Sequence, residues 1–393
     1  MSETSETFRG FVRSNDAVGV RNHLLVLSST LYANAVCERI ASTVRGSVAL
    51  VHPLGRAQVK PDLRMTFRTL VGHGSNPNAA AVLVVDHYQE QGCSAEEIAH
   101  EIAKTGKRVE IVNIRASGGV IAATANGTRA ALSMAREMSD AHREPVPMEQ
   151  LFLGMNCGTS DTTSGPGANS ALGVASDRLI AQGGRSVFAE LPELMGAEPV
   201  LRQLADSTAT GDELVAAIAA MEQRALDSGE DIRGSQPTGD NILGGLSTIE
   251  EKSLGGVLKA GKGPIVGVID YAEEPGCRAG VYLMVTPGHG GESITGIAGG
   301  GSQLLVFTTG GGHAIAHPLM PTIKVTANSE SYQAMSDTVE LDVSGVLRGE
   351  MSMDEAGDRV YEEIQAVASG RLTLCEVLRE ETGFAIHRVG MSL

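Results

Sequence analysis

The 393-residue chain contains no tryptophan, and aromatic residues make up only 3% of it. Stacking platforms for bases or sugars are therefore poorly supplied, which argues against a binder of single-stranded nucleic acid or of extended glycans. Basic residues are also short: Lys+Arg total 31 against 47 Asp+Glu, a formal net charge of −16, and only seven of the 31 are lysines. Such a balance excludes general affinity for nucleic acid, which rests on neutralising phosphates. It leaves room for a small anionic substrate, because a few basic groups in a pocket outweigh the average field. The five cysteines, Cys37, Cys93, Cys157, Cys277 and Cys375, are odd in number, far apart and form no CxxC pair. Neither a disulfide framework nor a structural zinc site is indicated. No apolar run approaches the roughly 20 residues of a spanning helix. The polar start MSETSETFRGF lacks the basic flank and apolar stretch of an export signal. A cytoplasmic protein without a membrane or nucleic-acid partner is expected.

What the chain has is glycine, 48 residues without a collagen period, and 42% hydrophobic residues. Glycine supplies tight turns and backbone that can approach a ligand, and the apolar fraction supplies a sizeable core. Residues 1–7 read as a loose tail. Four short apolar runs follow, His23–Thr30, Ser47–His52, Ala79–Asp86 and Arg108–Ile114, each ending in polar residues and alternating with helical patterns. That alternation is the signature of parallel α/β construction. A Pro-containing seam at Ala141–Glu149 precedes a second series of runs, beginning with LFLGMNC and continuing through Ser186–Glu190, Pro264–Asp270, Val281–Pro287, Gln303–Gly310 and Thr322–Asn328. The pattern predicts two Rossmann-like three-layer domains with parallel sheets, an N-terminal one over 8–143 and a larger one over 144–393. The long Gly-rich connections of the second half leave a less regular fold open. In the parallel reading, loops after the strands form the ligand crevice.

Three clusters carry chemistry. NCGTSDTTSGPGANSALG, Asn156–Gly173, follows a strand and precedes a helix, and more than half of it is Gly, Ser or Thr. Its backbone N–H groups and hydroxyls, Ser160 among them, could surround a carboxylate or phosphate, with Cys157 and Asp161 as its base or metal-ligand candidates. No Lys-Ser/Thr pair closes it, so it is not a P-loop. Thr286–His317 holds two Gly-rich loops with His289, His313 and His317; histidine there serves as acid, base, metal ligand or plain hydrogen-bonding residue. No HExxH helix forms, because no Glu follows His313 and Pro318 follows His317. In the third cluster, Gly239–Gly261, Ser247 or Thr248 caps a helix with Glu250 and Glu251 in its first turn. Lys252 is out of place so near the positive end of a helix, which makes it a candidate for a substrate carboxylate. Arg21, Asn22, His52, Arg56 and His73 lie at strand ends or in loops of the first half.

Taken together, GFVRSNDAVGVRNHLLVLSS, NCGTSDTTSGPGANSALG, AELPELMGAE, GGLSTIEEKSLGGVLKAG and FTTGGG followed by PTIKVTAN resemble the sugar-acid dehydratase family. That family includes altronate and galactarate dehydratases and the large subunit of sulfolactate sulfo-lyase. The resemblance covers about Phe8 to Asp342 in unchanged order. It implies a lyase that removes water, or sulfite, from a small hydroxylated carboxylate by β-elimination with the help of a divalent metal, and a small extra domain or partner subunit. The chain departs from the family at cysteines: Arg56 stands where VHPLGRA replaces PHTEGCG, Ser75 and Asn76 where GHGSN replaces GLGCE, and Gly256 where EEKSLGG replaces EEKSLGC. Cys157 alone is kept. One thiolate cannot replace several soft ligands, so no iron–sulfur cluster is expected. A divalent ion (Mg, Mn or Fe) is the cofactor in view, with His73, Cys157, His313 and His317 as ligand candidates.

Elimination needs a base, a charge partner for the enediolate and an acid for the leaving group. The candidates are His52 or His289 as base, Lys252 and Arg21 around the carboxylate, and Asp161 or Glu190 serving a metal or the leaving group. Asn22, Arg56, Ser160, Asn169, Thr308 and Thr309 complete the substrate-binding set. Two other readings stay open: a large subunit that needs a small partner for sulfo-lyase-type activity, and a catalytically silent relative that binds an anion. A homo-oligomer is expected in either case.

Overall fold

The computed structural model describes residues 6–393 apart from Gln89. Two parallel sheets carry it. In the smaller, β3 (His23–Ser28), β4 (Ser47–Leu50), β5 (Ala79–Asp86) and β6 (Arg108–Asn113), counted after the short β1 (Thr7–Val12) and β2 (Val18–Gly19), lie in the order β4-β3-β5-β6. Successive residues of a strand face opposite sides. Leu24 and Val26 therefore bury against the helices Asn34–Thr43 and Val120–Met138. Leu25 and Leu27 bury against Lys60–Ser75 and Ala95–Ala103. Both faces are covered, which is why these strands read as continuous apolar runs rather than alternating ones.

After β7 (Glu144–Pro147), the larger sheet contains β8 (Phe152–Gly158), β9 (Arg185–Phe188), β10 (Ile265–Ile269), β11 (Gly280–Met284), β12 (Leu304–Thr309), β13 (Thr322–Thr326) and β14 (Leu341–Asp342). Their order is β10-β11-β9-β8-β12-β13-β14, parallel throughout. Helices Ser170–Ala181 and Met353–Ala368 cover one face, and Gly290–Gly299 covers the other. The architecture is thus α/β with helices on both faces of each sheet, and the irregular alternative falls away.

The seam at Ala141–Glu149 contains a strand: β7 pairs antiparallel with β1, and β1 with β2. Phe8, Val18 and Val20 are thereby buried in the same core as Leu153, Met155 and Val306 of the larger sheet. Of the tail expected over residues 1–7, residues 1–5 lie outside the described residues, and Thr7 already belongs to β1. The two sheet units meet where helix Lys60–Ser75 crosses helix Gly290–Gly299. A Cβ at Gly72 would fall on the carbonyl oxygen of Gly299, so glycine lets these helices touch backbone to backbone. The buried Asn78 amide donates to Gln303 O (2.8 Å) and Leu319 O (3.0 Å), and its oxygen accepts from Val20 N (2.9 Å). No helix among the described residues is long and apolar enough to cross a membrane.

Candidate active site

In the larger sheet the chain runs from β8 outward to β9 and later returns to β12 on the other side of β8. Such a reversal leaves a crevice beyond the carboxyl ends of the strands. A cavity of about 450 Å³ opens there, between the loop after β8 and the helix Ile249–Val257. Cys157, Ser160, Asp161, Asn169, Glu193 and Lys252 are among its lining residues.

Behind the cavity wall sits a compact group of ionisable side chains. Lys259 Nζ, fully buried, lies 2.7 Å from Cys157 Sγ and 3.1 Å from Glu190 Oε2. Glu193 Oε2 is 3.3 Å from the same sulfur, and Glu193 Oε1 pairs with Lys252 Nζ at 2.9 Å. Lys252 also donates to Asn241 Oδ1 (2.7 Å) and Gln236 Oε1 (3.0 Å). The local chain explains the placement. Glu190 adopts φ +72°, a left-handed conformation that costs a non-glycine residue on the order of 1 kcal/mol or more. Its N–H donates to Thr286 Oγ1 (2.8 Å), and its carboxylate accepts from Cys157 N (3.2 Å), so the turn after β9 is held by β8 and by the end of β11. Thr248 caps the helix by accepting from Glu251 N (3.2 Å), which aims Lys252 inward one turn later. Glycines at 165 and 255 let that helix close on the loop: a Cβ at Gly165 would stand 2.9 Å from Gly255 Cα.

Burial raises the Glu190 carboxyl to about 7 against the pull of Lys259, with Glu193 adding to the rise. Burial likewise pushes the Cys157 thiol well up, opposed by Lys259. For Lys259, burial alone would lower the ammonium, but Cys157, Glu190 and Glu193 carry it upward overall. The Cys157 contribution to that rise requires a thiolate, which its own upward shift makes scarce at neutral pH. Glu190 is the carboxylate that touches the Lys259 ammonium, while Glu193 pairs with Lys252. The sulfur of Cys157 and the carboxylate oxygens of Glu190 and Glu193 all lie within 4.8 Å of one another, so this buried group could hold a metal ion.

Of the residues singled out in the sequence, the fold brings Cys157, Ser160, Asp161, Asn169, Glu190 and Lys252 to this crevice. Asp161 is fully engaged as a loop organiser. Its Oδ1 accepts from Thr163 N (2.8 Å), Thr163 Oγ1 (2.6 Å) and Ser164 Oγ (3.1 Å), and its Oδ2 from Asn328 Nδ2 (2.8 Å). Asn169 ties the helix to the sheet, donating to Gly255 O (2.9 Å) and accepting from Thr308 Oγ1 (2.5 Å). Thr309 ends β12 with its hydroxyl buried and without a partner among the described residues, as is the side-chain oxygen of Asn156. Neither residue lines the cavity, and buried groups of this kind suit a bound water. His289 stands at the start of helix Gly290–Gly299, and His313 packs its ring against Phe307, 5.5 Å between centroids. Neither lines the cavity.

The other candidates lie elsewhere. Arg21 forms a bidentate pair with Glu376 (2.6 and 2.7 Å) and donates to three carbonyls, which leaves it no free donor for a substrate. Asn22 accepts from Arg13 and donates to Met138 O. Arg56 is exposed in the loop after β4, its guanidinium 4.8 Å from the Tyr88 ring centre. His52 donates from Nε2 to Ser28 O (2.9 Å) and accepts at Nδ1 from Leu54 N (3.1 Å); burial lowers it to about 4. Its ring is held neutral with both nitrogens occupied, unsuited to a base. His73 and His317 face each other, Nε2 to Nε2 at 3.2 Å. The His73 Nδ1 contact to Thr69 O and the Leu319 N–H at His317 Nδ1 make His317 the donor. All four nitrogens are occupied, so this pair is a structural contact between the two units rather than a metal site. Lys259 and Glu193 were absent from the candidates. Lys259 follows Lys252 by seven residues, two helical turns on one face, and Glu193 lies one turn beyond Glu190; those spacings were the available signal.

A doubly wound sheet thus carries a buried thiol–carboxylate–lysine group, whose members can exchange protons, at its switch point. The chain belongs to the D-galactarate/altronate dehydratase family: residues 148–392 match the family's C-terminal model, and residues 10–139 match the D-galactarate dehydratase/altronate hydrolase second domain. It is 40% identical over 384 residues to the (2R)-sulfolactate sulfo-lyase subunit beta of Chromohalobacter salexigens, covering 96% of each chain. To the altronate dehydratases of Bacillus subtilis and Escherichia coli it is 31% and 30% identical, and it covers 80% and 77% of those proteins.

Proposed function

We propose that this protein is a lyase that removes a leaving group from C3 of a small 2-hydroxy carboxylate, with sulfite from a sulfonated three-carbon acid as the favoured case. The observation that carries the chemistry is the Cys157–Glu190–Glu193–Lys252–Lys259 group at the crevice. What favours sulfite over water is the identity, 40% to the sulfo-lyase subunit against 31% and 30% to the altronate dehydratases. The C2–H and C3–S bonds break, C2=C3 forms, and the enol tautomerises to a 2-oxo acid; the C2 proton and sulfite leave, and no oxidant is needed.

Glu193, on the cavity wall, is placed to take the C2 proton. Glu190, behind it and shifted toward neutrality, holds a proton in reserve, and the Cys157 thiol lies between them. Lys252 offsets the charge that develops on the enediolate. Cys157, Glu190 and Glu193 would hold a divalent ion, whose chemistry when bound is Lewis-acid polarisation of a substrate oxygen. Lys259 shares two of these donors, so ion and ammonium compete for them. Cys157 is the one cysteine lining the cavity, and we therefore assign no iron–sulfur cluster. The five unpaired thiols suit a reducing compartment, and we place the protein in the cytoplasm with a second subunit as partner.

The test is incubation of the purified protein, alone and with the companion subunit of the Chromohalobacter sulfo-lyase, with sulfolactate and a panel of sugar acids, with and without Mg, Mn or Fe. Release of sulfite and a 2-oxo acid in equal amounts is expected. Loss of water from sugar acids alone would move the assignment to a dehydratase. Ligand binding without turnover under every condition would leave the silent anion binder.

A further inference from the structure

The cavity described above is unusual for a site that receives an anion. Its wall carries three carboxylates, Asp161, Glu193 and Glu251, against one ammonium, that of Lys252, which is already paired. A divalent ion would balance that surplus and still leave both charges of a sulfonated carboxylate unmatched. The mouth is also apolar: Leu254 and Leu258 line it while 46% and 42% exposed, and on the adjoining helix Gly239–Leu243 the side chains of Ile242 and Leu243 are 57% and 91% exposed. That helix is tied to the catalytic loop by Thr162 N donating to Gly244 O (3.1 Å). Around these apolar residues the exposed acidic groups Asp240, Glu250 and Glu251 outnumber the basic Lys262 beside the lining residue Gly261. A rim that is apolar and acidic, around a cavity short of positive charge, is complementary to a protein surface with an apolar centre and basic side chains.

We propose that Ile242, Leu243, Leu254 and Leu258 form the docking rim for the small partner subunit, and that this partner brings basic side chains to the cavity mouth, where they complete the anion site. The proposal rests on reading the cavity as the lyase site. The match to a protein named as one subunit of a sulfo-lyase supplies the occupant. The charge deficit supplies its chemistry. On the smaller unit Tyr88 and Ile121 are also exposed, but there Arg56 and Arg115 lie over the tyrosine ring and Glu90 pairs with Arg56.

The experiment measures binding of the full chain to the purified companion subunit of the Chromohalobacter sulfo-lyase by sedimentation and biolayer interferometry, without substrate. The unaltered chain is expected to form a complex whose affinity falls as salt rises. Leu243→Asp and, separately, Ile242→Asp should weaken it by roughly tenfold or more with unchanged melting temperature, as truncation of a central contact does. Ile121→Asp should leave it unchanged. The proposal is overturned by no complex with the unaltered chain, by rim variants that bind normally, by loss with Ile121→Asp, by salt-independent affinity, or by rim variants that instead abolish self-association. Because binding is read without turnover, failure here leaves the lyase assignment standing, and failure of turnover with rim-dependent binding leaves the docking surface standing.

Discussion

Glu190 concentrates the chemistry of the site in one side chain. Its carboxyl rises from 4.5 to about 7 on burial, so folding takes up a proton in that window. The group therefore favours the fold at low pH, and that contribution is lost as pH rises from about 4.5 through 7. Urea denaturation across this range should show a flatter pH dependence for Glu190→Gln than for the native chain. Because Glu190 works as the proton reserve, kcat/KM should fall on an alkaline limb near pH 7, measurable in steady-state profiles. Lys259→Met removes the cation that pulls Glu190 down, so the limb should move to higher pH; a limb that stays in place separates Glu190 from the reaction. Lys252→Met should lower kcat by roughly tenfold to a hundredfold, the loss of one charged contact to the developing enediolate, while Lys252→Arg recovers part of it.

The loop after β8 and the helix Ile249–Val257 work as a pair, and Asp161 is the side chain that fixes the loop. Asp161→Ala would strand Thr163 N, Ser164 Oγ and Asn328 Nδ2, a cost of about 1–3 kcal/mol for each donor that water does not reach. Thermal melting should register that cost, and kcat should fall more than KM because the loop carries Cys157 at its root. Asp161→Asn keeps an acceptor oxygen and should recover most of the stability. Gly310→Ala should behave like Asp161→Ala, since a Cβ there would fall on the Asp161 carboxyl group.

Across the molecule, the first and last parts of the chain hold the two units together. Arg21 joins the segment after β2 to the helix Leu374–Leu378 through Glu376, and only 6% of its side chain is exposed. Removing one partner of such a pair costs about 3–5 kcal/mol. Arg21→Ala should lower the urea midpoint accordingly while leaving the KM of whatever protein remains folded unchanged. A rise in KM would return Arg21 to the substrate. The C-terminal tail runs back over the smaller unit, where Val389 N and Gly390 N donate to Asp62 at 3.0 and 2.7 Å and Leu393 N to Ala57 O at 2.8 Å. Phe384 packs edge-on against His52, His73 and His317 beneath that tail.

Local pattern was enough to read the strands and the Gly-rich loop, because a strand covered on both faces must be apolar along its length and a loop near a ligand must be free of side-chain bulk. His23–Ser28, Ala79–Asp86, Phe152–Gly158 and Leu304–Thr309 follow from composition alone, and Cys157 and Lys252 stand out by rarity and position. The short β1 and β7 escaped notice, since an antiparallel pairing of residues more than 130 apart leaves no periodic trace, and β2 is only two residues long. Which polar residues form the site was a tertiary decision. Arg21, His52 and His73 carry the side chains that catalysis uses, but whether a guanidinium or imidazole is free depends on partners from distant segments: Glu376 for Arg21 and His317 for His73. Lys259 and Glu193 gain their meaning only when β8, β9 and the helix after Thr248 converge, because burial beside Cys157 is what couples their charges.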